Sequence, residues 1–271
     1  MTDSHTDAAR SDIVDRAERD FVASWWEVAG AGGLERHDDS GIRWFHTGLS
    51  APHANAVVST AAAEDEADDA IDRVLGELRS RGVPFVWWTT PASRPADVAA
   101  RLTDRGMRPL DTWPCLAVVP RDIGRAAPVA GLEIRRVSDD ASLRAYLDIV
   151  TPILMPAGFD VLFEASVRGI GLHEGAAMTH FLGLLDGSPV ATSALLTSTD
   201  VAGIYNVATI EAARGRGIGA AMTVAAVDAG AATGRDLAAL EASTMGRPIY
   251  ERLGFRHVAD FVSYADPSAA G

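Results

Sequence analysis

Residues 214–219 read RGRGIG and lie between a strand-like run at 203–209 and a helix-like run at 218–233. Glycines in such a turn let the backbone approach a ligand closely, and the first turn of the following helix offers N–H groups and a partial positive charge. The two arginines could add charge-assisted hydrogen bonds. The stretch therefore predicts a pyrophosphate cradle built from Arg214, Gly215, Arg216, Gly217, Ile218 and Gly219.

The residues after this helix add a second motif. Thr233-Gly234 predicts a helix stop, 237–242 reads as a short buried strand, and 243–255 reads STMGRPIYERLGF, a second short helix that ends in Leu-Gly-Phe. The order R-x-x-G-x-G, helix, strand and Y-x-x-x-G-F resembles the GNAT superfamily of acyl-coenzyme A-dependent N-acyltransferases.

The resemblance implies roles for residues 131–264. The strand before the turn would offer backbone groups to the pantetheine arm of acetyl-coenzyme A (acetyl-CoA) through Val207, Ala208 and Thr209. Ser243 stands where many relatives have a coenzyme-holding asparagine. Tyr250, the tyrosine of Y-x-x-x-G-F, would protonate the departing thiolate, and because a thiol has a pKa of about 8.5 and a tyrosine one of about 10, this needs little tuning. Tyr250 is the one catalytic residue predicted.

The group that deprotonates the amine is open. Many relatives place a glutamate on the strand before the turn, but here that strand reads GIYNVAT and holds no carboxylate. The alternatives are Glu241 on the next strand, a water held by Asn206 or Tyr205, or an amine that arrives already neutral.

The acceptor side is expected over residues 143–175, where prolines and glycines predict an irregular lid. Asp160 and Glu164 lie one helical turn apart and could face an ammonium group, although two solvent-facing acids would show the same spacing. His173 and His180 are further candidate bases. Neither has the spacing of a metal ligand set, so no metal is expected.

The first half of the chain repeats the order of elements of the second. A strand at 84–90, a helix at 94–105, a turn and a strand at 113–119 parallel the elements at 237–264. We therefore predict an α/β (α+β) fold of two tandem GNAT-like domains, each a mixed, mostly antiparallel sheet flanked by helices. Residues 1–125 would form a degenerate domain without the cradle, and residues 131–271 the acetyl-CoA-binding catalytic domain.

Composition excludes several classes of function. The formal net charge of -13 argues against a nucleic-acid partner, because phosphate binding needs concentrated positive charge. No run approaches the ~20 apolar residues that span a bilayer, and the N-terminus is polar, so a cytoplasmic protein without a membrane partner is expected. The single cysteine, Cys115, lies in a strand-like run and is expected to be buried.

These patterns together predict an N-acetyltransferase. It would move the acetyl group of acetyl-CoA to a primary amine of a small molecule by direct attack in a ternary complex. The alternatives are a non-catalytic acyl-CoA-binding sensor and a protein-directed acetyltransferase. Aminoacyl transfer from a charged RNA is a further alternative, against which the cradle and the acidic balance speak.

Overall fold

The computed structural model describes residues 3–156 and 158–267, with side chains from residue 10 onward. The outermost ends of the two predicted domains, residues 1–2 and 268–271, lie outside the described residues. Within the described part, the elements in chain order are α1 (Asp3–Ala31), β1 (Arg36–Asp39), β2 (Ile42–Phe45), β3 (Ala56–Thr60), α2 (Ala67–Ser80), β4 (Val86–Thr89), α3 (Val98–Asp104), β5 (Arg108–Val118), β6 (Leu132–Arg136), α4 (Asp140–Leu154), α5 (Asp160–Ile170), β7 (Met178–Leu185), β8 (Ser188–Leu196), β9 (Ala202–Thr209), α6 (Ile218–Ala232), β10 (Ala238–Glu241), α7 (Arg247–Arg252) and β11 (Arg256–Ala265).

The strands form one continuous sheet in the order β1-β2-β3-β4-β11-β5-β10-β9-β8-β7-β6. Only β3 with β4 and β9 with β10 are parallel, and the other neighbours are antiparallel. The predicted class, a mixed and mostly antiparallel sheet flanked by helices, is confirmed. Where the sequence predicts a sheet in each half, the structure joins the strands of both halves into one.

The two halves exchange a strand at the centre of the sheet. β11, from the second half, lies between β4 and β5 of the first half, and β5 in turn lies between β11 and β10. β5 and β11 are the longest antiparallel pair, with Arg256 opposite Ala117 at one end and Ala265 opposite Arg108 at the other. Each half therefore depends on the other for a central neighbour. The segment that connects the halves also contacts the second half, since the Gly124 N–H donates to the carbonyl of Leu253 over 2.8 Å.

Alternate side chains along a strand lie on opposite faces of the sheet, and each face packs against different helices. Cys115 and Ala117 of β5 pack with α1, whereas Leu116 and Val118 pack with α6 and α7. This is the period of two that a strand imposes. The predicted burial of Cys115 is confirmed, and burial raises the pKa of its thiol well above the usual range.

α1 was not predicted from the sequence, and it is the longest helix of the described chain, 29 residues. It crosses α5 at close range, because a Cβ on Gly169 would lie 2.1 Å from the carbonyl oxygen of Ala31. Only glycine allows this approach at the crossing. α1 and α5 consequently enclose a space over the end of β9. No helix among residues 3–156 and 158–267 has the length and apolar character needed to cross a membrane.

Candidate active site

A gap opens in the sheet between β9 and β10. The two strands pair only where Ala238 lies opposite Ala202 and Ala239 opposite Gly203, and beyond this point β9 continues to Thr209 paired with β8 but not with β10. A bulge in the pairing of β9 with β8 places Asn206 at a φ of 54°, and the Thr192 hydroxyl donates to the Asn206 carbonyl over 2.8 Å. Such a bulge bends the strand and interrupts its ladder. The predicted pantetheine-binding segment, Val207–Thr209, therefore follows the bulge and borders the gap.

The RGRGIG turn lies at the N-terminus of α6. Gly215 and Gly217 have φ values of 76° and 81°, in the left-handed region that favours glycine, and a Cβ on Gly215 would meet no atom within 4 Å. The Ala221 N–H bonds to the carbonyl of Gly217, so the N–H groups of Ile218 and Gly219 have no helical acceptor. The open turn and the free first turn of the helix fit an anionic group.

The two arginines of the turn are exposed. The Arg214 Nε donates to the carbonyl of Thr209 over 3.1 Å, which ties the turn to the end of β9. Within residues 3–156 and 158–267, neither Arg214 nor Arg216 forms an ion pair with a carboxylate. By contrast, Arg101 in the first half is bound by three carboxylates. The cradle arginines thus keep their charge available to an anion.

A cavity of about 650 Å³ continues from the gap toward α1 and α5. Both halves of the chain line it. The second half contributes the junction of α4 and α5, the segment 204–207 of β9, residues 241–243 and Tyr250. The first half contributes α1, residues 51–54 and Trp113. The size is within the range of about 300–1,000 Å³ typical of ligand sites.

Tyr250 lies on α7 and reaches this cavity with 9% of its surface exposed. No residue of the described chain forms a hydrogen bond with its hydroxyl, and its ring packs edge-on against Phe255, with 6.0 Å between the centroids. Burial raises the pKa of Tyr250 to about 12, so the hydroxyl is protonated at neutral pH and can donate. Ser243, also at the cavity, accepts from the Gly246 N–H over 3.1 Å and so shapes the turn into α7.

Glu241 ends β10 at the wall of the cavity and is partly buried. Burial, and then the nearby charge of Asp20, raise the pKa of its carboxyl to about 8. Tyr205 lines the same cavity, and its hydroxyl donates to Asp20 Oδ2 over 2.7 Å. Three of the predicted acceptor-side residues, Tyr205, Asn206 and Glu241, thus line one cavity together with Tyr250.

Asp20, on α1, is the functional candidate that the sequence analysis missed. It is 1% exposed, and its other oxygen, Oδ1, accepts from the Thr199 hydroxyl over 2.7 Å. Burial raises its pKa to about 7, although both hydrogen bonds act in the opposite direction. The helical spacing of the sequence could have indicated that Asp20 is buried, because it lies on the same helix face as the buried residues Ala17, Phe21 and Ser24.

The remaining two acceptor-side candidates, Asp160 and Glu164, do not line the cavity. Asp160 is exposed in the first turn of α5, and Glu164 is bound by Arg168 over 2.9 Å. The predicted lid contains two helices, α4 and α5, and the cavity is lined by the end of α4, by Met155, Pro156 and Phe159, and by Phe163 of α5. The spacing of the two acids is therefore that of a solvated helix face.

Neither candidate histidine lines the cavity. His180 is buried in β7 against the ring of Tyr146, with 4.9 Å between the centroids, and burial lowers its pKa to about 4. The exposed ring of His173 approaches the carbonyl of Glu174. Within residues 3–156 and 158–267, no three His, Cys, Asp or Glu side chains converge as they would on a metal ion.

Comparison with known proteins gives a family match within the second half of the chain. Residues 144–255 match the profile of the acetyltransferase (GNAT) family, whereas no curated protein matches the chain significantly. A GCN5-related N-acetyltransferase from Kribbella flavida has a similar structure, with a TM-score of 0.73 and 21% identity over 93% of this chain and 95% of that one.

Two further solved structures are similar. A tandem GNAT protein from the clavulanic acid biosynthesis pathway has a TM-score of 0.59 and 15% identity over 83% of this chain and 77% of that one. A GCN5-related N-acetyltransferase from Sphaerobacter thermophilus has a TM-score of 0.59 and 16% identity over 72% of this chain and 66% of that one. At these identities the likeness shows the fold. Residues 144–255 thus match a GNAT acetyltransferase domain, and the chain as a whole shares its fold with GNAT proteins that include a tandem member.

Proposed function

We propose that this protein transfers the acetyl group of acetyl-CoA to the primary amine of a small molecule. The observation that carries the proposal is the arrangement of Tyr250, Glu241 and the β9–β10 gap around one cavity, with the glycine turn beyond the end of β9. When bound, acetyl-CoA would supply an activated thioester. The remaining chemistry is then two proton movements and the alignment of two reactants.

The residues present fit the coenzyme. The open turn at 214–219 would hold the pyrophosphate, because it combines two left-handed glycines, the first N–H groups of α6 and two exposed arginines without a carboxylate partner in the described part of the chain. Val207, Ala208 and Thr209 would accompany the pantetheine arm along β9. Ser243 would donate its O–H to the coenzyme, because a hydroxyl oxygen that accepts the Gly246 N–H keeps its own donor.

Tyr250 would provide the proton that the departing thiolate takes. Its pKa of about 12 keeps the phenol protonated, and its hydroxyl has no competing partner within the described residues. Glu241 would accept the proton of the attacking amine. Its pKa of about 8 suits this role, because a base is most effective when its pKa lies near the working pH. Of the alternatives left open by the sequence, the carboxylate at the cavity wall therefore has the most support.

Calorimetric titration with acetyl-CoA tests the coenzyme site. We expect binding by the wild type and a loss of at least about tenfold in affinity for the Arg214→Ala/Arg216→Ala variant. An Arg10→Ala/Arg73→Ala variant is the control, because it changes the net charge equally at exposed positions of the first half. Equal affinities for the two variants would contradict the cradle.

Release of free thiol in the presence of amines then tests transfer. Turnover by the wild type is the expected result. Tight acetyl-CoA binding without turnover of any amine would instead favour the non-catalytic acyl-CoA-binding protein.

A further inference from the structure

The acceptor side of the cavity has a distinct surface chemistry. Most of its wall is apolar and includes Phe21 and Trp25 of α1, Trp113 of β5, Ile153, Phe159 and Met178. The residues from the first half are held by contacts among aromatic rings. Phe21 packs edge-on to Trp88 with 5.3 Å between the centroids, and Trp88 contacts Trp113 at 4.6 Å. This wall is therefore a fixed surface.

Charge is scarce on the same wall. Of the described residues that line the cavity, Glu241 alone carries a carboxylate, and none is an arginine. The imidazole of His53 stacks on Trp113 with 5.6 Å between the centroids and 14° between the planes, and burial lowers its pKa. The lowered pKa favours the neutral imidazole, which would not repel an ammonium group, and the Asp111 carboxylate, 3.4 Å from its Nε2, acts in the opposite direction on that pKa. The cavity thus offers one carboxyl group, which carries a charge once the pH exceeds about 8, and a broad nonpolar surface.

We propose that the acceptor is a monoamine attached to a nonpolar, ring-bearing body, and that the first half of the chain recognises this body. The identity of the amine as an acetyl acceptor rests on the proposed function. The recognition of the body rests on the wall. A single ammonium group would pair with Glu241 in its ionised form, whereas a second charge on the same ligand would face apolar side chains and lose its hydration without compensation. The aromatic wall would replace water around the body.

This role also gives the first half a function. It lacks the glycine turn, yet it supplies Phe21, Trp25 and Trp113 to the site. The two halves would divide the reaction between them: the second holds the acetyl donor and the proton-transferring groups, and the first selects the amine.

Binding of three amines to the protein saturated with coenzyme A tests the proposal without relying on turnover. The probes are 2-phenylethylamine, 2-methoxyethylamine, which has one charge and little nonpolar surface, and butane-1,4-diamine, which has two charges. Tryptophan fluorescence and calorimetry report binding. We expect 2-phenylethylamine to bind at least about tenfold more tightly than either of the others.

Variants locate the binding surface. Trp25→Ala and Trp113→Ala should each weaken 2-phenylethylamine binding by about tenfold or more and leave acetyl-CoA binding unchanged. Trp26→Ala is the matched control, since Trp26 is next in sequence but lies under the guanidinium groups of Arg36 and Arg43, at 5.0 and 5.6 Å, and does not line the cavity. Should an alanine variant fail to fold, the comparison of the three amines on the wild type still decides the question.

Each result has one meaning. Tighter binding of butane-1,4-diamine or of a peptide with a free amine overturns the inference, as does the absence of binding by all three amines. If acetyl-CoA binds and only polar amines are acetylated, the proposed function holds and the inference fails. If 2-phenylethylamine binds as expected but acetyl-CoA does not, the wall recognises its ligand and the proposed function fails.

Discussion

Replacing Asp20 by asparagine should change how the stability of this protein depends on pH. Asp20 is 1% exposed, lies near the Glu241 carboxyl and accepts hydrogen bonds from Tyr205 and Thr199. Its pKa rises from 3.8 to about 7 because burial penalises the charged form. Asparagine has nearly the same shape and resembles the protonated acid. The variant therefore removes the titration with little change in packing.

The sign follows from proton binding. Below the unfolded pKa both states of the wild type hold the proton, so Asp20 does not affect the pH dependence there. Between 3.8 and about 7 the unfolded chain releases the proton and the folded chain keeps it, so the free energy of unfolding falls as pH rises. At 1.36 kcal/mol per pKa unit, the full effect is about 4 kcal/mol. This is a large part of a typical stability of about 5–15 kcal/mol.

Urea unfolding at a series of pH values between about 4 and 8.5 measures the effect. We expect Asp20→Asn to gain stability relative to the wild type as pH rises, toward a difference of about 4 kcal/mol. The stability of the variant should still fall as pH rises, but less steeply than that of the wild type. This remaining slope comes from Glu241, whose pKa is raised mainly by its own burial. Asp228→Asn, at an exposed position of α6, is the control and should follow the wild type. A difference between Asp20→Asn and the wild type that does not vary with pH would refute the reasoning.

Three further substitutions test the site. Tyr250→Phe should leave acetyl-CoA affinity unchanged and lower kcat by about 10²–10⁴-fold, and full turnover at saturating substrates would contradict the acid role. The wild-type kcat/KM should increase with pH and level off above about 8, since only the ionised Glu241 accepts a proton, and Glu241→Gln should abolish that increase in a pH–rate profile. Gly217→Ala should lower stability by about 1 kcal/mol and weaken acetyl-CoA binding in calorimetry, whereas Gly234→Ala, with a φ of 88° after the same helix, should cost similar stability and leave binding intact.

The second half of the chain was the more predictable part. The glycine turn and the Tyr250 motif are local, because each depends on residues within one turn and one helix. Their elements were found at nearly the expected positions, with β9 at 202–209 and α6 at 218–232. Local signals of this kind survive in a single sequence because the conformation of the turn itself selects glycine.

The acceptor side could not be predicted for a physical reason. Asp20 and Tyr205 are 185 positions apart, and Trp113 reaches the cavity from a strand of the other half. The period of α1 indicates that Asp20 is buried, but contacts of this range depend on the tertiary arrangement, so no pattern in the sequence identifies its partner. The spacing of Asp160 and Glu164 suggested a site, but it follows equally from an exposed helix face. The division at residues 125–131 stays a prediction, since the shared sheet gives neither half a complete set of strands.

The exchange of β5 and β11 has a consequence for the order of folding. β4 and β5 are synthesised well before β11, which must lie between them. The first half therefore leaves the ribosome with two strands whose hydrogen-bonding edges await a partner made about 140 residues later, so closure of the sheet is expected to be a late and slow event. Two fragments divided near residue 128, each unfolded or aggregation-prone alone, should assemble when produced together, because each holds the strand that the other lacks.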